Sequence, residues 1–297
     1  MNAVMTENLI KCFKHNKALN GITVEIPMDC IVGLIGRNGA GKTTLMKTLA
    51  GHLRPDSGVV RVFNEKPFDN LSVLSDILFM DDARYPDSVN LAYLFNLSAL
   101  YYPNFDHLKA DKLLKYFDIS QKSRIKKLSK GTKTLFSLVL AICSRAPLTL
   151  LDEPVLGLDA AHRKEFASLL LNDFANHPRT IIISSHLISE LENLMEQVVL
   201  IDHGQLIFHK AVDEVQRFAL YCTGHRKLLE TLSTDWDIIS RDMMGDRITL
   251  GVVNRFTDIE LNTLKTTGVE ISAMNVQDVC VNLTATHDGG VLSAIGE

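Results

Sequence analysis

The chain has 297 residues, 46% of them apolar and 22% charged, which excludes a disulfide-stapled miniprotein and wholesale disorder and leaves one large domain or two unequal ones. Its 31 basic and 35 acidic side chains give a net charge of −4, so the composition offers no bulk attraction to nucleic acid or anionic lipid. The five cysteines, Cys12, Cys30, Cys143, Cys222 and Cys280, are never spaced as CxxC; they read as reduced thiols of a cytosolic protein, with neither a zinc site nor a disulfide framework.

From the N-terminus, MNAVMTENLIKCFKHNK lacks the apolar core of a signal peptide, and no run approaches the roughly 18 unbroken apolar residues of a spanning helix. A role at a membrane therefore calls for a partner that supplies the spans. Strand-like runs follow at 21–27, 30–36 and 57–63, with helical patterning from Lys42 to Leu53 between the last two. Residues 88–145 change texture: Leu91, Leu94, Phe95, Leu97 and Leu100 follow helical spacing, Leu108 to Phe117 repeat it, and Leu135 to Ile142 form a third apolar helix. Strand patterning returns at 147–154 and 179–186 around a helix over 160–172, and again at 197–210, where His203-Gly204 fits a tight hairpin.

Beyond about residue 215 the pattern reads strand–helix–strand–strand–helix–strand, with VEISAMNVQDVCVNLT (269–284) as the last strand. The predicted organisation is an α/β domain over 1–215 with a helical subdomain at 88–145, a small α+β domain over 216–285, and a tail over 286–297.

GRNGAGKTT, from Gly36 to Thr44, matches the eight-residue phosphate-loop pattern between a strand and an amphipathic helix. Glycines at 36, 39 and 41 let successive backbone N–H groups turn inward, and the helix start adds its positive end, so Gly36, Asn38, Gly39, Ala40 and Gly41 form a cradle for triphosphate oxygens. Lys42 would reach the β- and γ-phosphates, Thr43 would place its hydroxyl on Mg²⁺, and Thr44 would touch the α-phosphate. LTLLDEP places Asp152 and Glu153 at the carboxyl end of a buried strand, where α/β sheets bind ligands. Asp152 suits the Mg²⁺ shell, and Glu153 would polarise the attacking water.

The basic stretch KSRIKKLSKGTK (122–133) reads by itself as a solvated face, yet its core LSKGT presents a serine and a glycine opening a helix, a second phosphate-binding helix start. Phosphate loop, LSKGT, LLDEP, GLD (157–159) and His186 after a strand, in that order, resemble the nucleotide-binding subunit of an ABC transporter over roughly residues 3 to 215. The resemblance implies a P-loop NTPase domain of the ABC type, a mixed sheet core plus helical subdomain, followed by the small α+β domain. It implies ATP and Mg²⁺ as cofactors and a head-to-tail homo- or heterodimer of ATPase subunits.

By that resemblance LSKGT is the signature motif, normally LSGGQ, which closes over ATP held by the other subunit; Ser129 and Gly131 match, while Lys130 and Thr132 depart. His186 takes the place of the switch histidine beside the γ-phosphate, Asp159 that of the aspartate crossing between subunits, and Phe13 that of the ring stacked on adenine. Where relatives carry a glutamine that touches Mg²⁺ and links to the permease, this chain has Asp82, or Asp81. VQDVCVNLT (276–284) resembles the tail of ATPases that export drugs, peptides or antibiotics through a permease on a separate chain.

The resulting expectation is an ATP hydrolase on the cytoplasmic face of the membrane, peripheral through its permease, that powers export of a drug, peptide, antibiotic or lipid-like substrate, with no nucleic-acid partner. The alternative is a soluble ABC-type ATPase of repair, translation or assembly; a binding module that barely hydrolyses nucleotide is a further rival, opposed by the retention of Glu153 and His186.

Overall fold

Runs of unbroken apolar residues become the central strands of a sheet covered on both faces. In a computed structural model that describes residues 1–81, 89–185 and 188–285, the chain divides into two compact units, Met1–His209 and Lys210–Glu297.

In the first unit, β1 (Asn2–Phe13) and β2 (Asn16–Pro27) pair antiparallel, followed by β3 (Ile31–Ile35), α1 (Lys42–Leu49) and β4 (Ser57–Val62). Three strands form one sheet in the order β2-β1-β4. The sequence reading passes over β1 because its alternation is broken: Thr6 is wholly buried, donating its hydroxyl to the Ile22 carbonyl and accepting from the Val24 N–H, and Asn8 has φ +46 beside a register shift. The chain continues through α2 (Leu71–Leu74) into β5 (Ile77–Met80).

Three helices follow, α3 (Leu91–Tyr101), α4 (His107–Tyr116) and α5 (Lys130–Ser144). Each begins at a polar cap whose side chain accepts a first-turn N–H: Asn90 from Tyr93, Asp106 from Lys109, Ser129 from Thr132. Then come β6 (Leu148–Asp152), α6 (Ala160–Asn176), β7 (Thr180–Ser184), α7 (Ile188–Leu191), β8 (Gln197–Asp202) and β9 (Gln205–Ala211). The second sheet has the order β5-β6-β7-β3-β8-β9; the first five strands are parallel. His203 and Gly204 make the β8–β9 turn with φ of 44° and 74°, the left-handed pair a two-residue hairpin needs.

One hydrophobic cluster joins Leu9, Leu19 and Val60 of the antiparallel sheet, Leu45, Met46 and Leu49 of α1, and Val32, Leu150 and Ile182 of the parallel sheet. Burying each large side chain is worth roughly 1.5–3 kcal/mol. The helix after the phosphate loop is therefore anchored in the core, and the loop inherits its rigidity.

The second unit holds α8 (Val212–Phe218), β10 (Ala219–His225), α9 (Arg226–Leu232), β11 (Ile238–Met244), β12 (Arg247–Val253), α10 (Asp258–Thr266), β13 (Glu270–Ala273) and α11 (Val276–Ala285). Its antiparallel sheet runs β11-β12-β10-β13, with Leu220, Cys222, Ile248, Leu250, Leu229 and Leu264 in its core. Thr257 and Glu260 form a reciprocal capping box at the start of α10. The last predicted strand, 269–284, proves to be two elements. Only Glu270–Ala273 is strand, and Asn275 caps α11 by accepting the Asp278 N–H at 2.7 Å.

Candidate functional site

The carboxyl ends of β3, β6 and β7 stand side by side, since β3 pairs with β7 and β7 with β6 in parallel register. In open α/β sheets this edge is where ligands bind. β3 runs into the phosphate loop through Gly36, where a Cβ would lie 2.3 Å from the Ile201 carbonyl oxygen; only glycine passes there. Gly41 caps α1 in a left-handed conformation (φ 107°), and a Cβ on it would lie 2.4 Å from the Ala18 carbonyl oxygen. No side chain caps α1 and no acidic residue sits in its first turn, so its leading N–H groups and positive end stay available to an anion. Asn38 and Gly39 are exposed, and Ala40 is buried and accepts the Gly204 N–H at 3.0 Å.

Lys42 is 6% exposed, and its ammonium donates to the carbonyls of Gly36 (2.6 Å) and Arg37 (3.2 Å). Burial lowers its pKa, while the negative charges of Glu153 and Asp152 oppose the shift, which puts both carboxylates within electrostatic reach of the loop lysine. Thr43 Oγ donates to Asp152 Oδ2 at 2.7 Å, joining the helix start to the end of β6. Thr44 follows on α1 and accepts the Thr48 hydroxyl through its carbonyl.

Glu153, just past β6, has φ +50° and donates its N–H to both the backbone oxygen (3.1 Å) and the hydroxyl (3.0 Å) of Ser184. Ser184 also reaches Asp152 Oδ1 at 2.5 Å. The structure thus brings together Lys42, Thr43, Asp152 and Glu153, and adds Ser184, which the sequence reading leaves unassigned. Its only sequence signal is a polar residue closing the isoleucine run of β7.

The paired hydroxyl and carboxylate of Thr43 and Asp152 are hard oxygen donors, and among the described residues no group of three His, Cys, Asp or Glu forms a closed metal cage. That donor set fits Mg²⁺, which keeps waters and substrate phosphates in its shell and takes few protein ligands.

The other described residues that the sequence reading places in the site belong to other segments of the chain. Ser129 caps α5, accepting the Thr132 N–H at 3.1 Å, and its hydroxyl meets that of Thr132 at 2.8 Å. Thr132, at the position where the resemblance implies a glutamine, therefore engages Ser129. A Cβ on Gly131 would stand 3.3 Å from the Gly157 carbonyl oxygen, and the aliphatic stem of Lys130 runs along Gly157, so the signature turn packs on the loop that leads to Asp159. Asp159 caps α6: the backbone N–H and ring of His162 bond its carboxylate and hold it below the usual carboxylate range. Phe13 ends β1 half exposed, with the Lys11 ammonium 5.6 Å from its ring centre. Asp81, directly after β5, pairs with Lys47 of α1 at 3.5 Å. Asp82 and His186 lie outside the described residues.

Among the described residues no helix is long and apolar enough to cross a membrane. The family described as ABC transporter matches residues 19–156. The ABC transporter ATP-binding protein YtrB of Bacillus subtilis is 29% identical over 209 residues, 70% of this chain and 72% of the relative. The bacitracin transport ATP-binding protein BcrA of Enterococcus faecalis is 30% identical over 218 residues, 72% of this chain and 71% of the relative. The fold also matches the dimeric post-hydrolysis structure of the ATP-binding cassette MJ0796 bound to ADP and Pi, with a TM-score of 0.61 at 19% identity over 70% of this chain and 98% of that one. With its phosphate loop, its strand-end carboxylates and these likenesses in accord, the chain belongs to the ABC transporter family, as one of its ATP-binding, ATP-hydrolysing subunits.

Proposed function

We propose that this subunit binds Mg·ATP between two copies of the ATPase fold, drives a permease carried on a separate chain, and exports a peptide-like or amphiphilic antibiotic from the cytoplasmic face of the membrane. The observation that carries the nucleotide part is the Thr43–Asp152 hydrogen bond at 2.7 Å, which joins phosphate loop and strand-end carboxylate into one hard-oxygen site. The export part is supported by the likeness to a bacitracin transport protein. In this reading residues 1–215 are the ATPase domain, with 88–145 as its helical subdomain, and 216–285 an accessory domain.

The loop N–H groups and the α1 start hold the β- and γ-phosphates, with the Lys42 ammonium turning from Gly36 and Arg37 toward them. Thr43 and Asp152 would hold Mg²⁺, which would supply positive charge against that developing on the phosphoryl group. Thr43 would offer the ion a hydroxyl lone pair while still donating its hydrogen bond to Asp152. Glu153 orients the attacking water and takes up its proton. Ser129 and Gly131 of one subunit face the γ-phosphate held by the other, Asp159 crosses the same interface, and Phe13 stacks on adenine. Because the closed dimer binds ATP better than the open one, nucleotide shifts the population toward closure, and hydrolysis releases it.

Glu153→Gln tests the central role. With Mg·ATP this variant should elute as a dimer on gel filtration, and its turnover should fall about 100-fold or more. A monomer with wild-type turnover would remove Glu153 from the chemistry. Affinity purification of the tagged subunit from gently solubilised membranes should bring down a polytopic chain in stoichiometric amount; recovery only from the soluble fraction with soluble partners would overturn the transport reading.

A further inference from the structure

Ser184 closes β7, is wholly buried, and stands in register beside Asp152 of β6. Its hydroxyl oxygen lies 2.5 Å from Asp152 Oδ1 and 3.0 Å from the Glu153 backbone nitrogen. A backbone amide can only donate, so the hydroxyl accepts there, and its single proton must go to Asp152. Thr43 supplies the proton to the other carboxylate oxygen, Oδ2, at 2.7 Å. Asp152 is held by a hydroxyl on each side, one from the centre of the sheet and one from the helix after the phosphate loop.

A carboxylate torsion is broad and roughly two-fold when nothing holds it. With Oδ1 fixed from a buried strand, Oδ2 has one direction left, toward Thr43. The same serine oxygen holds the Glu153 N–H where the backbone has φ +50°, a left-handed conformation that is uncommon outside glycine and persists only where surrounding contacts impose it.

We propose that Ser184 is a positioning residue for the ATPase reaction: one buried hydroxyl that aims Asp152 at the metal and sets the backbone from which Glu153 reaches the water. The inference rests on the assignment of Mg²⁺ to Thr43 and Asp152 made above.

The test uses the full chain as wild type, Ser184→Ala, Ser184→Thr and Asp152→Asn, with two readouts: ADP affinity in EDTA by equilibrium dialysis, and Mn²⁺ affinity of the ADP complex by electron paramagnetic resonance. Ser184→Ala should keep its ADP affinity in EDTA within about twofold and lose about tenfold in Mn²⁺ affinity, the scale of one hydrogen bond to a charged group. Ser184→Thr, which retains the hydroxyl, should recover most of that loss.

Wild-type Mn²⁺ affinity in Ser184→Ala would overturn the proposal. So would a Ser184→Thr variant as weak as the alanine, or an equal loss of ADP affinity in EDTA, which would mark general damage to the site. Asp152→Asn separates the two levels of the argument: if it binds Mn²⁺ as tightly as wild type, the metal assignment itself is wrong and the role of Ser184 falls with it.

Discussion

Asp173 offers the sharpest energetic test of how the helical segment is fastened to the sheet. It sits on α6 with no exposed surface and binds Lys109 of α4 at 2.5 Å and Arg179, just ahead of β7, at 2.8 Å. Arg179 is itself only 4% exposed. Changing Asp173 to Asn keeps the shape and removes the one negative charge, leaving a buried guanidinium and a half-buried ammonium without compensation. Breaking a buried pair from one side costs about 3–5 kcal/mol. In a unit of this size each kcal/mol shifts the melting temperature by about 2–4 °C, so a fall of about 6–20 °C is expected by calorimetry or circular dichroism. Lys109→Met should cost less, because Lys109 is 26% exposed and leaves the Asp173–Arg179 pair intact. A melting temperature for Asp173→Asn within about 2 °C of wild type, or a larger loss in Lys109→Met, would refute the reasoning.

Lys42→Ala removes the loop cation and should weaken ATP binding about 10- to 100-fold in equilibrium dialysis with labelled nucleotide; unchanged affinity would remove Lys42 from the site. Ser129→Ala should slow steady-state hydrolysis while leaving nucleotide affinity of the monomer unchanged, since the phosphate it serves is held by the other subunit; equal loss of both would mean that the motif acts within its own chain. Burial pushes the thiols of Cys30 and Cys143 up to about 12 and that of Cys222 up to about 11, from 9.0. The folded state therefore keeps protons that the unfolded chain gives up, so this contribution to stability is full below about pH 9 and drains away as pH rises toward 11–12. An alkaline series of melting curves checks the trend, and native protein near pH 8 should show one fast thiol, the partly exposed Cys12; rapid reaction of all five would refute the burial argument.

What the sequence discloses is what lies close together along the chain. Gly36 to Thr44 is legible because the loop and its helix start are one continuous segment, and the His203-Gly204 hairpin because its conformational demand falls on two adjacent residues. Ser184 and Asp152 are 32 positions apart, and Lys109 and Asp173 are 64, so their meeting depends on strand order and helix packing that no local pattern encodes. The α11 segment misleads for another reason. Its valines suggest strand, yet Val276, Val279, Cys280 and Thr284 are its buried residues, a helical spacing. Apolar periodicity also overstates burial in the helical segment, where Leu100 is 84% exposed and Leu108 75%. Amphipathic spacing gives the helix and does not say how wide its covered face is.

The fit of the phosphate loop against its neighbours has a kinetic corollary. Gly36 lies under the Ile201 carbonyl, Gly41 under that of Ala18, and Gly204 at the hairpin tip bonds Ala40, so two distant stretches of chain, β2 and the β8–β9 hairpin, grip the loop from outside. Its conformational entropy is surrendered when the protein folds, not when nucleotide arrives. Capture of nucleotide should therefore follow a single exponential whose rate climbs in proportion to nucleotide concentration, without the plateau that a slow loop rearrangement would impose.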